Sequence, residues 1–247
     1  MGRPEIVIVA DDLSGAADCG SAFAAQGLRT VVQLSGGGLD ADAQVLAIDT
    51  ATRAMTVEQA SAAAKLAFEK HRDARVFYKK IDSLLRGHVG PELAAMLRDA
   101  APAVAVMAPA LPLQGRVTRN GCQWLRSEPV AGGNAPELLR AAGLTARVVP
   151  TSAVRGGELA ATLTQLAKQS DVLICDAETE EDLSAIAHAA TTLPREVVWV
   201  GSAGLARHIP SALGIASESP VEEPPPFRGP VVAVIGSRTA VAHEQVR

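Results

Sequence analysis

The chain has 247 residues, 48% of them hydrophobic and 20% charged, with a formal net charge of −4. That length accommodates one large α/β domain or two small ones around a buried core. An acidic balance without Lys/Arg blocks argues against nucleic acid or an anionic membrane as partner, because both need a concentrated basic footprint, whereas a small anion needs only a local pocket.

Short, continuous apolar runs rich in β-branched residues recur along the chain. They cover residues 5–10, 30–34, 44–48, 75–78, 104–107, 171–175, 197–200 and 231–235. Continuous rather than alternating hydrophobicity is what strands buried on both faces require, so these runs predict a largely parallel sheet. Helical patterns lie between them. Thr56 and Gln59 form a capping-box pair ahead of Ala60, Ala64, Ala67 and Phe68. Leu93, Met96, Leu97 and Ala100 share a face after Pro91. Leu159, Leu163, Leu166 and Ala167 repeat the spacing, as do Leu183, Ile186, Ala187 and Ala190 behind a Thr179 cap. Strands alternating with helices at this rhythm predict an α/β fold: a doubly wound, mostly parallel sheet with helices on both faces.

Residues 218–230 break the pattern with clustered prolines and acidic residues that bury no periodic face, and they read as a linker. The expected organisation is a domain over 1–217, the linker, and the opening strand and turn of a second domain over 231–247. On that reading 247 residues is the length of a fragment. Cys19, Cys122 and Cys175 fall in no CxxC or Cys/His spacing, and the five histidines show no metal spacing. A reducing compartment is therefore expected, with neither a disulfide framework nor a structural zinc site. No basic-then-apolar leader opens the chain, and Asp11 and Asp12 interrupt its first apolar run, so the expectation is a cytoplasmic protein without a membrane span.

In an open parallel sheet, ligands bind beyond the carboxyl ends of the strands. Those ends deliver Asp11, Asp12, Ser14 and Gly15 from the first run, Asp49 and Arg53 from the third, and Lys79, Lys80, Asp82, Ser83, Arg86 and Gly87 from the fourth. Later runs deliver Asp176 and the Gly201-Ser202-Ala203-Gly204 turn. Lys79, Lys80 and Arg86 lie directly behind a buried strand, where cations are costly unless they face an anion. The alternative is a solvated loop capping a helix through Asp82 or Ser83. Opposed carboxylates at Asp11 and Asp12 tip the balance toward a polyhydroxy acid, whose carboxylate needs Arg or Lys and whose hydroxyls need acceptors.

At least one of Asp11 and Asp12 is expected to cap the first helix. Leu13 rules out the Asp-x-Asp spacing of a haloacid dehalogenase. A receiver domain with Asp49 as phospho-acceptor fits loosely, but is about half this length and leaves the Lys80 to Arg86 cluster unexplained. The glycine turn at 201–204 is either a phosphate-approaching turn or a packing device. No GxxxxGK[ST] motif is present, and among the histidines only His88 adjoins the cationic cluster.

These same residues carry a resemblance. Ala10 to Ala16 resembles an ADDLTGA opening, Lys79 to Gly87 a KKIDSTLRG signature, Pro109 to Gly121 a PAFPxQGRTTxNG segment, and Gly201 to Ala206 a GSAGLA turn. Together they resemble the four-carbon acid sugar kinase family across residues 5–240. The resemblance implies phosphorylation of erythronate, threonate or a 3-oxo-tetronate with ATP and Mg2+, this chain supplying mainly the sugar-acid-binding domain. It places Asp11, Arg53 and the Lys80-Ile81-Asp82-Ser83 segment against the substrate, and Ser237 against the nucleotide. Arg53, Lys80 and Arg86 suit a carboxylate or transferred phosphate, Asp11 and Asp82 suit hydroxyls, and Asp11 or Asp12 suits a general base. Leu84, His88 and Ser14 depart from the family's Thr, Asn and Thr, which leaves the substrate's identity open.

The partners expected are a small sugar acid and ATP, with a homo-oligomer allowed. The isolated chain is expected to bind the acid and to turn over poorly, since transfer needs both substrates in register. The alternative is a non-catalytic sugar-acid-binding or regulatory module.

Overall fold

The computed structural model describes residues 4–34, 43–98 and 103–215, together with residues 229, 230, 232, 243 and 244. The linker read at 218–230 and the second-domain segment at 231–247, Ser237 included, lie outside the described residues apart from those isolated positions.

Eight strands form one parallel sheet. They are β1 (Ile6–Ala10), β2 (Thr30–Gln33), β3 (Val45–Asp49), β4 (Val76–Lys80), β5 (Val104–Ala108), β9 (Ala146–Val149), β10 (Val172–Cys175) and β11 (Val197–Gly201), in the order β2-β3-β1-β4-β11-β5-β10-β9. Every pairing is parallel. The inner strands β1, β4 and β5 are buried at every position, the environment that their unbroken apolar runs demand. Both apolar layers are covered. On one face Ile6, Ile8 and Tyr78 pack with α1 (Leu13–Ala24), α6 (Leu159–Ala167) and α7 (Glu180–Ala190). On the other, Val7, Val9 and Phe77 pack with α2 (Val57–Lys70), α3 (Val89–Leu97) and α4 (Ala135–Ala141).

The cap signals hold in three dimensions. Thr56 and Gln59 make a reciprocal capping box on α2, as do Thr179 and Asp182 on α7. Asp12 caps α1 by accepting from the Gly15 N–H at 2.8 Å. Short helices α5 (Thr151–Val154), α8 (Ala203–Ala206) and α9 (Ile209–Ala212) and a 3-10 turn over Pro112–Gln114 complete the helical set among the described residues.

Composition did not foretell a second, antiparallel sheet of β6 (Arg116–Arg119), β7 (Cys122–Leu125) and β8 (Glu128–Asn134). Its strands are largely exposed or half-exposed and mix polar residues and glycines with the apolar ones, so no apolar run marks them. Asp176, just past β10, anchors this arm by accepting from the Asn120 and Gly121 N–H groups at 2.6 and 2.8 Å. Burial of the Asp176 carboxyl raises its pKa against the pull of these two donors.

Two features of the main sheet position a site. The chain leaves β1 to one side for β2 and β3, then crosses to the other side for β4, a topological switch between β1 and β4. The register also brings five strand ends level, with Asp49 beside Ala10, Ala10 beside Lys80, and Lys80 beside Gly201, which in turn faces Ala108.

Candidate functional site

At this switch lies a cavity of about 220 Å³. Its charged lining consists of Arg53, Lys80, Arg86 and Arg116 against Asp12, Asp18 and Asp82, and Ser14, Ser83, Gln114 and Ser202 add polar groups.

Asp11 and Asp12 end β1 and open α1, and Arg53 holds both. Arg53 Nε and Nη2 each donate to an Asp11 carboxylate oxygen at 2.8 Å, and Nη1 donates to Asp12 at 2.6 Å. The Arg53 backbone N–H also donates to the Asp11 carbonyl at 3.1 Å. Asp11 is buried and takes no part in the cavity lining, so it stands behind Arg53, whereas Asp12 faces the cavity. Gly87, at φ +90°, leaves room for this pair, since a Cβ there would sit 2.7 Å from Asp11 Oδ2.

The loop carrying Arg53 is fixed from beneath. Asp49 accepts from the Ala51 N–H at 2.8 Å, and Thr50 Oγ1 donates to the Ala10 carbonyl at 2.8 Å. Thr52 Oγ1 donates to Glu92 Oε1 at 2.8 Å, while Glu92 Oε2 pairs with Lys79 Nζ at 2.6 Å, both side chains almost fully buried. Lys79 is thus a counter-ion inside the fold rather than a member of the cavity. Asp49 is buried and committed to its turn, an arrangement unlike an exposed phospho-acceptor.

Lys80 and Asp82 come from the end of β4. Lys80 is buried, and its ammonium lies against Gly15, where a Cβ would meet Nζ at 2.8 Å. Glycine is the residue that permits this approach. Among the described residues no carboxylate comes within ion-pairing distance of Lys80.

Asp82 accepts from Arg86 Nε and Nη2 at 2.9 and 2.6 Å and from the Leu84 N–H at 3.0 Å. Burial pushes the Asp82 pKa up, but these donors outweigh it and lower the value from 3.8 to about 2. At neutral pH Asp82 is a fixed carboxylate and a weak base. Ser83 Oγ accepts from Arg116 Nη1 at 2.5 Å. Ile81 faces away from the cavity into the apolar layer with Phe77 and Leu85, and its N–H donates to the Gly201 carbonyl at 2.9 Å.

The turn at 201–204 packs closely. A Cβ on Gly201 would meet Tyr78 Oη at 2.7 Å, and one on Gly204 would meet the Ala110 carbonyl at 2.5 Å. Ser202 Oγ donates to that carbonyl at 2.7 Å, and Ser202 and Ala203 border the cavity. His88 is tied to the Met55 carbonyl at 2.8 Å and takes no part in the lining. Cys19 and Cys175 are buried, and burial raises both thiols, Cys19 to about 12.

A model of the sugar-binding N-terminal domain matches residues 6–209. A D-threonate kinase of Cupriavidus necator is 38% identical over 97% of this chain and 62% of its own length. The chain belongs to the four-carbon acid sugar kinase family. Other relatives in that family include a D-threonate kinase of Salmonella typhimurium, 33% identical over 98% of this chain and 60% of its own. A D-erythronate kinase of Heliobacterium modesticaldum is 30% identical over 98% and 59%. The chain therefore spans about three-fifths of the length of these relatives. A crystal structure from Bordetella bronchiseptica, a domain-swapped dimer with bound citrate, superposes with a TM-score of 0.74 at 31% identity, covering 86% of this chain and 58% of that one.

Within this member of the family, the fold brings Asp12, Arg53, Lys80, Asp82, Ser83 and Arg86 to one cavity, sets Asp11 behind it and turns the Ile81 side chain away. Sequence reasoning from strand ends missed Arg116, Gln114 and Asp18. Arg116 and Gln114 come from the arm after β5, which no apolar run announces. Asp18 lies one turn beyond Ser14 on α1, and that four-residue spacing was the available signal.

Proposed function

We propose that this chain is the sugar-acid-binding part of an ATP-dependent four-carbon acid sugar kinase acting in the cytoplasm. Its substrate is an erythronate, threonate or 3-oxo-tetronate, with D-threonate the first to test because several of its relatives carry that name. The observation that carries this reading is the small cavity at the β1/β4 switch, where cations and carboxylates face the same space. At about 220 Å³ it is below the ~300–1,000 Å³ typical of drug-sized ligands, which suits a four-carbon acid.

In this proposal Lys80, Asp82, Ser83 and Arg86 surround the acid, Ile81 contributes only main chain, and Asp11 positions Arg53. Asp12 is the candidate for taking the acceptor hydroxyl's proton, since each carboxylate oxygen has capacity beyond its present donor. Residues 231–247 open a nucleotide-binding domain in which Ser237 meets ATP. Phosphoryl transfer rests mainly on positioning and charge neutralisation, so a cavity with fixed cations suits it. Among the described residues no group of three or more His, Cys, Asp and Glu side chains could hold a metal. The proposal therefore assigns Mg2+ to the nucleotide rather than to the described residues.

Neither nucleic acid nor membrane is a proposed partner; among the described residues no helix is long and apolar enough to cross a bilayer. The domain-swapped dimer of the Bordetella protein favours a homo-oligomer.

The test is a thermal-shift panel of sugar acids combined with transfer of the γ-phosphate from ATP, on this chain and on one extended past Arg247. The expected result is stabilisation by four-carbon acids above three- and six-carbon ones, with transfer only weak until the chain is extended. Stabilisation without transfer in the extended chain would indicate a non-catalytic binding module, and no stabilisation by any four-carbon acid would overturn the reading.

A further inference from the structure

Three chain segments bring Arg53, Lys80 and Arg86 to the cavity: the loop between β3 and α2, the end of β4, and the loop between β4 and α3. Glu92, in the first turn of α3, meets the first two and continues the third. Its Oε1 accepts from Thr52 Oγ1 at 2.8 Å, and its Oε2 pairs with Lys79 Nζ at 2.6 Å. Thr52 immediately precedes Arg53, and Lys79 immediately precedes Lys80. Each oxygen of one buried carboxylate thus holds the neighbour of a cavity cation, while Glu92 itself stays out of the cavity lining.

The two loops need such a hold. Ala51 (φ +53°) in the first and Leu85 (φ +62°) in the second are left-handed without being glycine, a conformation that persists only where the surroundings over-determine it. Thr52 follows Ala51 directly and is buried. Lys79 Nζ has no acceptor besides Glu92 among the described residues, so its charge is answered by this one carboxylate. A second tie between the loops, from His88 to the Met55 carbonyl at 2.8 Å, is exposed to solvent.

We infer that Glu92 is a positioning residue for the sugar-acid site, acting through Thr52 on the loop that carries Arg53 and anchored by Lys79. The inference rests on the proposed function and extends it to residues outside the cavity. The β3–α2 loop sets where the Arg53 guanidinium lies, and Arg53 in turn holds Asp12 through its Nη1 bond of 2.6 Å. Binding a small acid depends on such groups being held in place beforehand, because ordering a loose loop on binding subtracts from affinity. A purely structural role makes a different prediction. If the Lys79–Glu92 pair matters only because a buried charge must not be left alone, replacing both partners by apolar residues restores stability and binding together. In the positioning role it restores stability alone, since Thr52 then has no acceptor on α3 and the loop is free to shift.

The experiment is calorimetric titration of D-threonate and D-erythronate into the 247-residue chain and three variants, with urea unfolding of each. The variants are the double Lys79→Met with Glu92→Leu, and the singles Thr52→Val and Thr52→Ser. The expected result is a double variant close to the parent in stability that binds the acid roughly tenfold more weakly, the scale of one lost hydrogen bond to a charged group. Thr52→Val, which keeps the ion pair and removes the hydroxyl, should lose a similar factor, and Thr52→Ser should stay within about twofold of the parent. Parent-like affinity in the double variant or in Thr52→Val overturns the inference, as does a loss in Thr52→Ser equal to that in Thr52→Val. Should the double variant not fold, the two Thr52 variants decide. A parent chain that binds neither acid overturns the functional reading itself, a result read on the parent alone and so distinct from the others.

Discussion

Lys79 and Lys80 are neighbours on β4, but the two faces of that strand lead into different chemistry. Lys79 points into the layer shared with α2 and α3, where Glu92 meets its ammonium at 2.6 Å and Thr52 satisfies the other Glu92 oxygen. Lys80 points to the α1 side, lines the cavity and has no carboxylate within ion-pairing distance among the described residues. Both are buried. A lysine whose charge is answered inside the fold serves the fold, and one whose charge goes unanswered is available to a ligand. The first also serves the second region indirectly, because Glu92 and Thr52 fix the loop that carries Arg53.

The strongest way to break this contrast is at Lys79. Lys79→Met strands the Glu92 carboxylate in an apolar layer and should cost about 3–5 kcal/mol in denaturant unfolding. Replacing both partners, Lys79→Met with Glu92→Leu, should recover most of that loss, because no charge is then left unpaired. A single variant as stable as the parent, or a double as unstable as the single, would show that the pair does not hold the layer together.

Lys80→Met should behave in the opposite way. Removing an ammonium that faces the cavity and ion-pairs with no carboxylate among the described residues leaves no orphan, so stability should stay within about 1 kcal/mol of the parent or rise. Stabilisation by D-threonate should fall with a roughly tenfold or greater loss of affinity. Equal ligand-induced shifts in parent and variant would remove Lys80 from the site.

How much of this was legible in advance follows from what each signal measures. Continuous apolar runs report burial on both faces, so the inner strands β1, β4, β5, β10 and β11 were readable. The edge strand β9 and the arm β6–β8, half-exposed or exposed along most of their length, were not. Capping boxes are local, so Thr56 with Gln59 and the Thr179 cap could be read from spacing. Strand ends pointed to Asp12, Arg53, Lys80 and Asp82 because a parallel sheet brings those ends level. The same argument could not separate Lys79 from Lys80, since that depends on which face meets Glu92, a helix residue twelve positions after Lys80. Nor could it supply Arg116, which reaches the cavity from the antiparallel arm.

The third contrast lies between the buried Lys79–Glu92 pair and the half-exposed Arg86–Asp82 pair at the rim. The Arg86 side chain is 62% exposed, so its pairing with Asp82 is open to solvent and salt, whereas the N–H groups of Leu84 and Arg86 also feed the same carboxylate from the loop. Asp82 titrates near 3.8 when unfolded and at about 2 when folded. A depressed carboxyl contributes stability that is full above the unfolded value and disappears as pH falls through the folded one. The parent should therefore exceed Asp82→Asn by about 1–2 kcal/mol above pH ~5, after allowance for screening of the exposed guanidinium, with the gap closing between pH ~4 and ~2. Urea unfolding of both proteins across that range checks it, and a gap independent of pH would show that the carboxylate's charge is not what the loop uses. Raising the salt concentration should shrink only the part owed to Arg86, because the backbone donors are fixed by the turn, and should leave the cost of Lys79→Met almost unchanged, because that pair is shielded from ions.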